Sequence, residues 1–247
     1  MDEKLEPLPN WVMPPQPCSY IPVETASLVY RVTEEMPEEA YAQMMERGWR
    51  RHGRHFFRPA CPVCRKCRSL RVVVDSFRPT KSQRRILRRN MDVQWKVQAA
   101  SVTDAHIDIF NRYHADMHDR RGWTAHQVDK YDYFDGFLAG SREFAREVVF
   151  FRNDRLIAVG LIDIVGEFSS SVYFYHDPDL RSDGLGTFSM LCELQHVRDV
   201  GVTHHYLGYW IKECQSMAYK SRYGPHEILD EYVDDDEEPV WNRALSD

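Results

Sequence analysis

The chain has 247 residues, 43% of them apolar, and a formal net charge of −6. That is the composition of a folded globular protein, with enough chain for one large or two small domains. No run approaches the ~20 apolar residues of a membrane-spanning helix, and "MDEKLEPLPNWVMPPQPC" has neither the basic start nor the apolar core of a secretory signal, so neither a disulfide scaffold nor a helical membrane protein is expected.

A cytoplasmic protein is expected, whose six cysteines are free, metal-bound or redox-active. The net charge hides a segregation. Between Arg47 and Arg89 stand fifteen Lys or Arg residues and one acid, Asp75, a net of +14, against −20 for the rest of the chain. A polyanion feels the local field and not the sum. Nucleic acid or another polyanion is therefore the expected partner, and a solvated basic face is the alternative.

In chain order, residues 1–22 hold six prolines and predict an extended arm with Cys18 near its end. A strand is expected over 26–32. A helix follows over 37–48, with Pro37 and two glutamates at its start and Gly48 at its end. "WRRHGRHFFRP" predicts a hairpin turning near His52-Gly53, and 69–77 a strand. Residues 78–92 predict a helix opened by Thr80. Its Lys81, Arg84, Arg85, Arg88 and Arg89 recur at spacings that place them on one face, aimed at phosphates or at water.

Residues 93–101 predict a strand and then a junction near residue 100, dividing a basic part from an acidic one. A helix capped by Thr103 is expected over 103–119. It carries His114 and His118 four apart, which without an HExxH frame favours surface or packed histidines over zinc. A short helix and loop (131–141), a hairpin through Asn153-Asp154 and a strand over 172–175 follow. Next come a turn and helix (179–201), a strand (204–210), a short helix (216–224) and a solvated, mobile acidic tail over 230–239.

Two constellations carry chemistry. Arg181, Gly184 and Gly186 fit R-x-x-G-x-G between a strand and a helix, where glycines let backbone N–H groups approach an anion at the helix start. The plain alternative is a connecting turn. Cys61, Cys64 and Cys67 stand at C-x2-C-x2-C spacing, and with Cys18 they supply four sulfurs, the number taken by a closed zinc site or an iron–sulfur cluster. The alternative is reduced thiols in a small core. Cys192 lies on the apolar stripe of its helix and reads as core.

The strand, glycine loop, helix and strand of the second half resemble the GNAT acyltransferase fold. "CSYIP", "ERGWRRHGRHFFRPACPVC", "FRPTKSQRRILRRN", "SVYFYHDPDL", "LGTFSMLCEL" and "YLGYWIKECQSMAYKSRYGP" together resemble the aminoacyl-tRNA–protein transferases, most of all the bacterial aspartate/glutamate leucyltransferases, over about residues 18–225.

The resemblance implies an α+β protein. A basic, cysteine-containing α/β domain (1–100) would precede a GNAT-like domain with a mixed sheet (101–229) and an acidic tail (230–247). It implies transfer of leucine from Leu-tRNA to the α-amine of proteins starting with Asp or Glu, marking them for N-degron degradation, with arginine as the alternative donor. Two rival classes are a CoA-dependent N-acetyltransferase and a non-catalytic tRNA-binding protein. The acceptor carboxylate would meet Lys220, Arg222, Arg78, Lys81 or Arg84. The tRNA would meet Arg181, Gly184, Gly186, Arg85, Arg88 and Arg89. Tyr209, Tyr219 and Tyr175 would stack on the terminal adenine or donate to the oxyanion. Transfer would require no cofactor, and the cysteines would hold zinc or an iron–sulfur cluster as a support or redox sensor.

Overall fold

A computed structural model describes residues 9–141 and 143–244. The first eight residues of the proline-rich arm and the last three of the tail lie outside it. The strongest alternation in the chain builds its centre. In β9 (Ala145–Arg152), Val148 and Phe150 pack to one side of the sheet, and Val149 and Phe151 to the other. Asn153 and Asp154, with φ of 50° and 60°, make the two-residue turn into β10 (Arg155–Val165). β11 (Phe168–His176) pairs antiparallel with β10.

The sheet extends in both directions, and its outer strands come from distant parts of the chain. β8 (Gln94–Ala99) pairs with β9, β12 (His204–Trp210) lies parallel to β11, and β7 (Arg68–Val73) lies antiparallel to β12. β13 (His226–Leu229) and β14 (Trp241–Arg243) complete eight strands in the order β14-β13-β7-β12-β11-β10-β9-β8. β7 and β8 precede residue 100 and still belong to this mixed sheet, so the charge balance changes there while the sheet continues.

Both faces of the sheet are covered. On one, α3 (Asp104–Arg121) and α4 (Lys130–Phe137) bury Ile109, Phe110, Tyr133 and Phe137 against Val149, Val159 and Leu161. On the other, α2 (Lys81–Arg89) and α5 (Leu185–Asp199) place Ile86, Leu87, Leu185 and Phe188 against Phe150, Ile157 and Ile162. Cys192 lies in that second core, as its position on the helix stripe predicts. α2 opens with a capping box, Thr80 and Gln83 each bonding the other's backbone N–H. α5 provides the crossover that a parallel pair such as β11–β12 requires.

The N-terminal part forms a second, four-stranded antiparallel sheet. β1 (Trp11–Val12), β4 (Leu28–Val32), β6 (His55–Pro59) and β5 (Arg50–His52) lie in that order, with α1 (Glu38–Glu46) over Phe56 and Trp49. β2 (Gln16–Pro17) pairs with β3 (Thr25–Ala26), so Cys18 sits at the head of a closed loop. Arg51 of β5 joins this sheet to the larger one. Its Nε donates to Asp163 of β10 at 2.7 Å, Nη1 donates to the Phe137 carbonyl at 2.7 Å, and the Tyr41 hydroxyl donates to the same carboxylate at 2.9 Å. The side chains of Arg51 and Asp163 are 2% and 0% exposed.

The acidic tail departs from the expectation of free, mobile chain. Asp235 takes both terminal nitrogens of Arg31 at 2.8–3.0 Å, and Arg47 donates to the carbonyls of Asp234 and Glu237. Arg58 pairs with Asp234 at 3.4 Å, and Arg68 with Asp230 at 3.4 Å. Arg31 and Arg58 also lie over the Trp49 ring, 4.3 and 4.8 Å from its centroid. Arginines half-sunk against an indole need counter-charge, and the tail delivers it.

Removing one partner of the buried Arg51–Asp163 pair leaves a charge without compensation. Asp163→Asn is expected to lower unfolding free energy by about 3–5 kcal/mol, read from urea unfolding. A loss below about 1 kcal/mol would show that the pair does not tie the sheets together.

Candidate active site at the diverging strands

β11 and β12 are paired only over Phe168–Ser170 and His204–Tyr206. Both are bulged where they part. The β10–β11 register shifts between Leu161 and Ile162, and the β12–β7 register between Tyr206 and Gly208. Bulges re-aim side chains. Beyond Ser170 the strands separate, and the gap receives groups from α5, β5, β12 and the turn after α6 (Gln215–Ala218).

Arg50 enters from β5. Its guanidinium bonds the Ser170 hydroxyl and the Ser171 carbonyl. It lies against Gly208, which has φ +81°, and a Cβ there would come within 3.0 Å of Arg50 Nε. Glycine is thus needed at 208 both for the bulge and for this approach. Glu193 enters from α5. Ser171 Oγ donates to its Oε2 and Ser189 Oγ to its Oε1, both at 2.7 Å. His205 Nε2 lies 2.9 Å from Ser171 Oγ and 3.5 Å from Glu193 Oε2, and its Nδ1 lies 2.6 Å from Ser169 Oγ. Glu193 and His205 are fully enclosed. Sequence reading missed these groups. The one legible signal was a carboxylate in the apolar run "SMLCEL", on a helix face that otherwise packs.

Lys220 is buried beneath the gap, donating to the Tyr209 carbonyl at 2.7 Å and approaching Met217 Sδ at 3.7 Å. Burial first, and then the charge of Arg50, push its ammonium down to about 7. Among the described residues it has no carboxylate partner. Tyr219, 39% exposed, stands at the mouth of the gap, its hydroxyl pushed up by burial and then by the charges of Glu193 and Tyr113.

Two predicted tyrosines face elsewhere. Tyr175 is fully buried in the α3–α4 core with its hydroxyl on Tyr133 at 2.7 Å. Tyr209 is likewise buried, and its hydroxyl donates to the Phe57 carbonyl at 3.0 Å, tying the two sheets together.

The basic helix α2 runs beside this gap and is fastened at both ends. Gln83 donates to the Arg222 carbonyl at 3.2 Å, Arg89 to the Ser182 carbonyl at 2.7 Å, and Asn90 to the Asp183 carbonyl at 3.0 Å. Ile86 packs against Gly184, which has φ +70° and opens α5. The helix is therefore anchored to the glycine loop, with Gly186 exposed in the first turn of α5. Arg181 is turned away and paired with Asp116 of α3.

Of the fifteen cations between 47 and 89, Arg51, Arg54, Arg58, Lys66, Arg68 and Arg71 have carboxylate partners. Among the described residues Arg78, Lys81, Arg84, Arg85, Arg88 and Arg89 have none, and all six are exposed. Arg78 bonds the carbonyls of Asp75 and Phe77, and Arg84 that of Pro79. Arg222 is exposed beside them.

The cysteines lie behind the gap. Cys61, Cys64 and Cys67 line a cleft of about 550 Å³ with Arg58, Arg65 and Tyr232. Burial, and then the neighbouring Cys61, Cys18, Cys64 and Cys214, push the Cys67 thiol up to about 12. The four thiols are thus neighbours, but among the described residues no three Cys, His, Asp or Glu side chains converge on one ion position. This donor set does not fit a closed zinc site or cluster as arranged here. His114 stacks on Phe110 and bonds Tyr173, and His118 bonds the Trp123 carbonyl, so the two serve packing and a turn.

The depressed Lys220 has a pH signature. Between about 7 and its ordinary 10.5 the unfolded chain holds a proton there that the folded one does not, so stability rises with pH through that window. Lys220→Met removes this dependence. The melting-temperature difference, variant minus wild type, should therefore become more positive as pH falls from 9 to 6. A difference that is flat with pH would refute the burial of a reluctant charge.

Comparison with known proteins identifies the family. The family model described as "Arginine-tRNA-protein transferase, N terminus" matches residues 16–85, and the one described as "Arginine-tRNA-protein transferase, C terminus" matches residues 105–230. The chain is 35% identical to the aspartate/glutamate leucyltransferase of Helicobacter hepaticus over 91% of this chain and 93% of that one. It is 34% identical to that of Campylobacter jejuni over 86% and 89%. Among solved structures, the ribosomal-protein-S18-alanine N-acetyltransferase of Escherichia coli is similar with a TM-score of 0.33 and 18% identity, over 44% of this chain and 63% of that one. The chain belongs to the arginine-tRNA-protein transferase family, among relatives that are aspartate/glutamate leucyltransferases.

Proposed function

We propose that this protein transfers leucine from Leu-tRNA to the α-amino group of proteins beginning with Asp or Glu, and so marks them for degradation. The carrying observation is α2, an exposed helix of cations without carboxylate partners among the described residues, anchored at both ends beside the gap between β11 and β12. A nucleic-acid donor needs such a surface, and a CoA donor does not. The names of the relatives support leucine as the group transferred.

The chemistry suits the residues present. The donor is an ester already activated on the ribose, and the nucleophile is an α-amine of ordinary pKa about 7.7–8.0, partly neutral near pH 7. The enzyme must align amine and carbonyl, stabilise the tetrahedral oxyanion and deliver a proton to the departing ribose oxygen. In this reading Arg50 and Tyr219 face the reacting carbonyl. Phosphates run along Arg85, Arg88 and Arg89 to the first turn of α5 at Gly184 and Gly186. The acceptor's carboxylate meets Arg222, Arg78, Lys81 or Arg84, with Lys220 beneath the site as a reserve of positive charge that a nearby carboxylate would restore.

Transfer itself requires no cofactor, because the ester is activated before it arrives. Zinc or an iron–sulfur cluster would need the side chains of Cys18, Cys61, Cys64 and Cys67 to turn toward one point, which they do not do as arranged; held so, it would be a support or a redox sensor.

The test supplies purified protein with radiolabelled Leu-tRNA or Arg-tRNA and peptides beginning with Asp, Glu or Ala. Label is expected from Leu-tRNA on the Asp and Glu peptides alone. Arginine transfer would reassign the donor, and no transfer from either would overturn the reading.

Replacing Arg84, Arg85, Arg88 and Arg89 by Gln should weaken tRNA binding and reduce the slope of log K against log salt. Each lost phosphate contact lowers that slope by roughly 0.7–0.9. An unchanged slope would remove α2 from the tRNA footprint.

A further inference from the structure

The gap holds a hydroxyl, an imidazole and a carboxylate in mutual contact that the alignment of donor and acceptor does not use. Ser171 is the first residue of β11 beyond the parallel pairing with β12. It is only partly buried, whereas Ser169, Glu193 and His205 are fully enclosed. Its Oγ meets Glu193 Oε2 at 2.7 Å and His205 Nε2 at 2.9 Å. Behind them, Ser189 and Ser169 fix the carboxylate and the ring. The chain also keeps space for this set. A Cβ on Gly160 of β10 would come within 3.0 Å of Glu193 Oε1 and 2.9 Å of Ser189 Oγ. A buried carboxylate placed against an imidazole and a half-open hydroxyl costs desolvation that a packed leucine at 193 would avoid, so its presence calls for a chemical use.

We propose that Ser171 is a catalytic residue that carries the acceptor's proton, with Glu193 and His205 as positioning residues acting through it. The inference rests on the leucyl-transfer reading above. The α-amine nitrogen attacks the ester carbonyl, forming the C–N bond and an oxyanion. The nitrogen then gives a proton to Ser171 Oγ as the Ser171 hydroxyl proton passes to Glu193 Oε2, the oxygen it already points at. On collapse the C–O bond to the ribose breaks, and the proton returns through Ser171 to the departing ribose oxygen. The products are the amide and the free tRNA hydroxyl. Every proton lost by the amine appears on the tRNA, and no other reactant is needed.

The test compares wild type, Ser171→Ala, Glu193→Gln and Tyr133→Phe in leucine transfer from Leu-tRNA to an Asp-initial peptide. Glu193→Gln keeps the shape and can still hydrogen-bond Ser171 and Ser189. Positioned proton transfer contributes about 10²–10⁴-fold, so Ser171→Ala and Glu193→Gln should lose at least 100-fold in kcat. KM for tRNA and for peptide should stay within threefold of wild type. Tyr133→Phe removes a buried hydroxyl in the α3–α4 core, outside the gap, and should retain kcat within fivefold. A purely structural role would instead move KM and melting temperature together and make Tyr133→Phe as damaging as Ser171→Ala. Either that pattern, or kcat within threefold of wild type in Ser171→Ala, overturns the proposal. A wild type that transfers no leucine overturns the functional reading and this inference with it.

Discussion

The buried pair between Arg51 and Asp163 is the constraint on which the remaining geometry depends. A guanidinium and a carboxylate that are both removed from water are tolerable only when every donor and acceptor is matched. Here Tyr41 and the Phe137 carbonyl complete the match. One contact thereby fixes four elements: the hairpin of β5 and β6, helix α1, strand β10 and the end of α4. A strand alternates its side chains, so once Arg51 points into the core, Arg50 must point the other way. That other way is the gap between β11 and β12. The buried pair therefore sets the aim of Arg50, the cation that β5 sends into the candidate active site.

The charge segregation of the sequence acquires a finer meaning in three dimensions. The basic stretch from Arg47 to Arg89 divides into cations that hold the protein together and cations that remain available. Arg51, Arg54, Arg58, Lys66, Arg68 and Arg71 pair with acids from elsewhere in the chain, several of them in its last part. Helix α2 keeps its charge free. Net charge alone could not distinguish the two groups, because ion pairing depends on which acid the fold brings close.

Much of the fold was legible. Period-two alternation located β9–β12, and Thr80 and Thr103 marked the starts of α2 and α3. Asn153-Asp154 marked the tight hairpin. Local signals sufficed because each of these features is decided within a few residues. The outer strands β13 and β14 were missed, since β13 pairs with β7 across more than 150 residues and leaves no local trace, and β14 pairs in turn with β13. The acidic tail was misjudged for the same reason. Its composition predicts solvation, and only the distant Arg31, Arg47 and Arg58 show why it is held.

For the site, sequence placed the glycine loop and the basic helix correctly in relation to strand and helix, because each lies within one contiguous motif. It missed Arg50, Ser171, Glu193 and His205, which come from four separate elements and meet only where two bulged strands part. It also assigned chemistry to Tyr175 and Tyr209, whose hydroxyls are occupied inside the protein.

The strapped tail has a further consequence. Both substrates in the proposed reaction are negatively charged, one a polynucleotide and the other a protein with an acidic first residue. A uniformly basic N-terminal part would attract either of them anywhere on its surface. By lying across Arg31, Arg47, Arg58 and Arg68, the tail acts as insulation. The exposed conducting edge is left along α2, and an arriving anion is drawn to the one place where it can react.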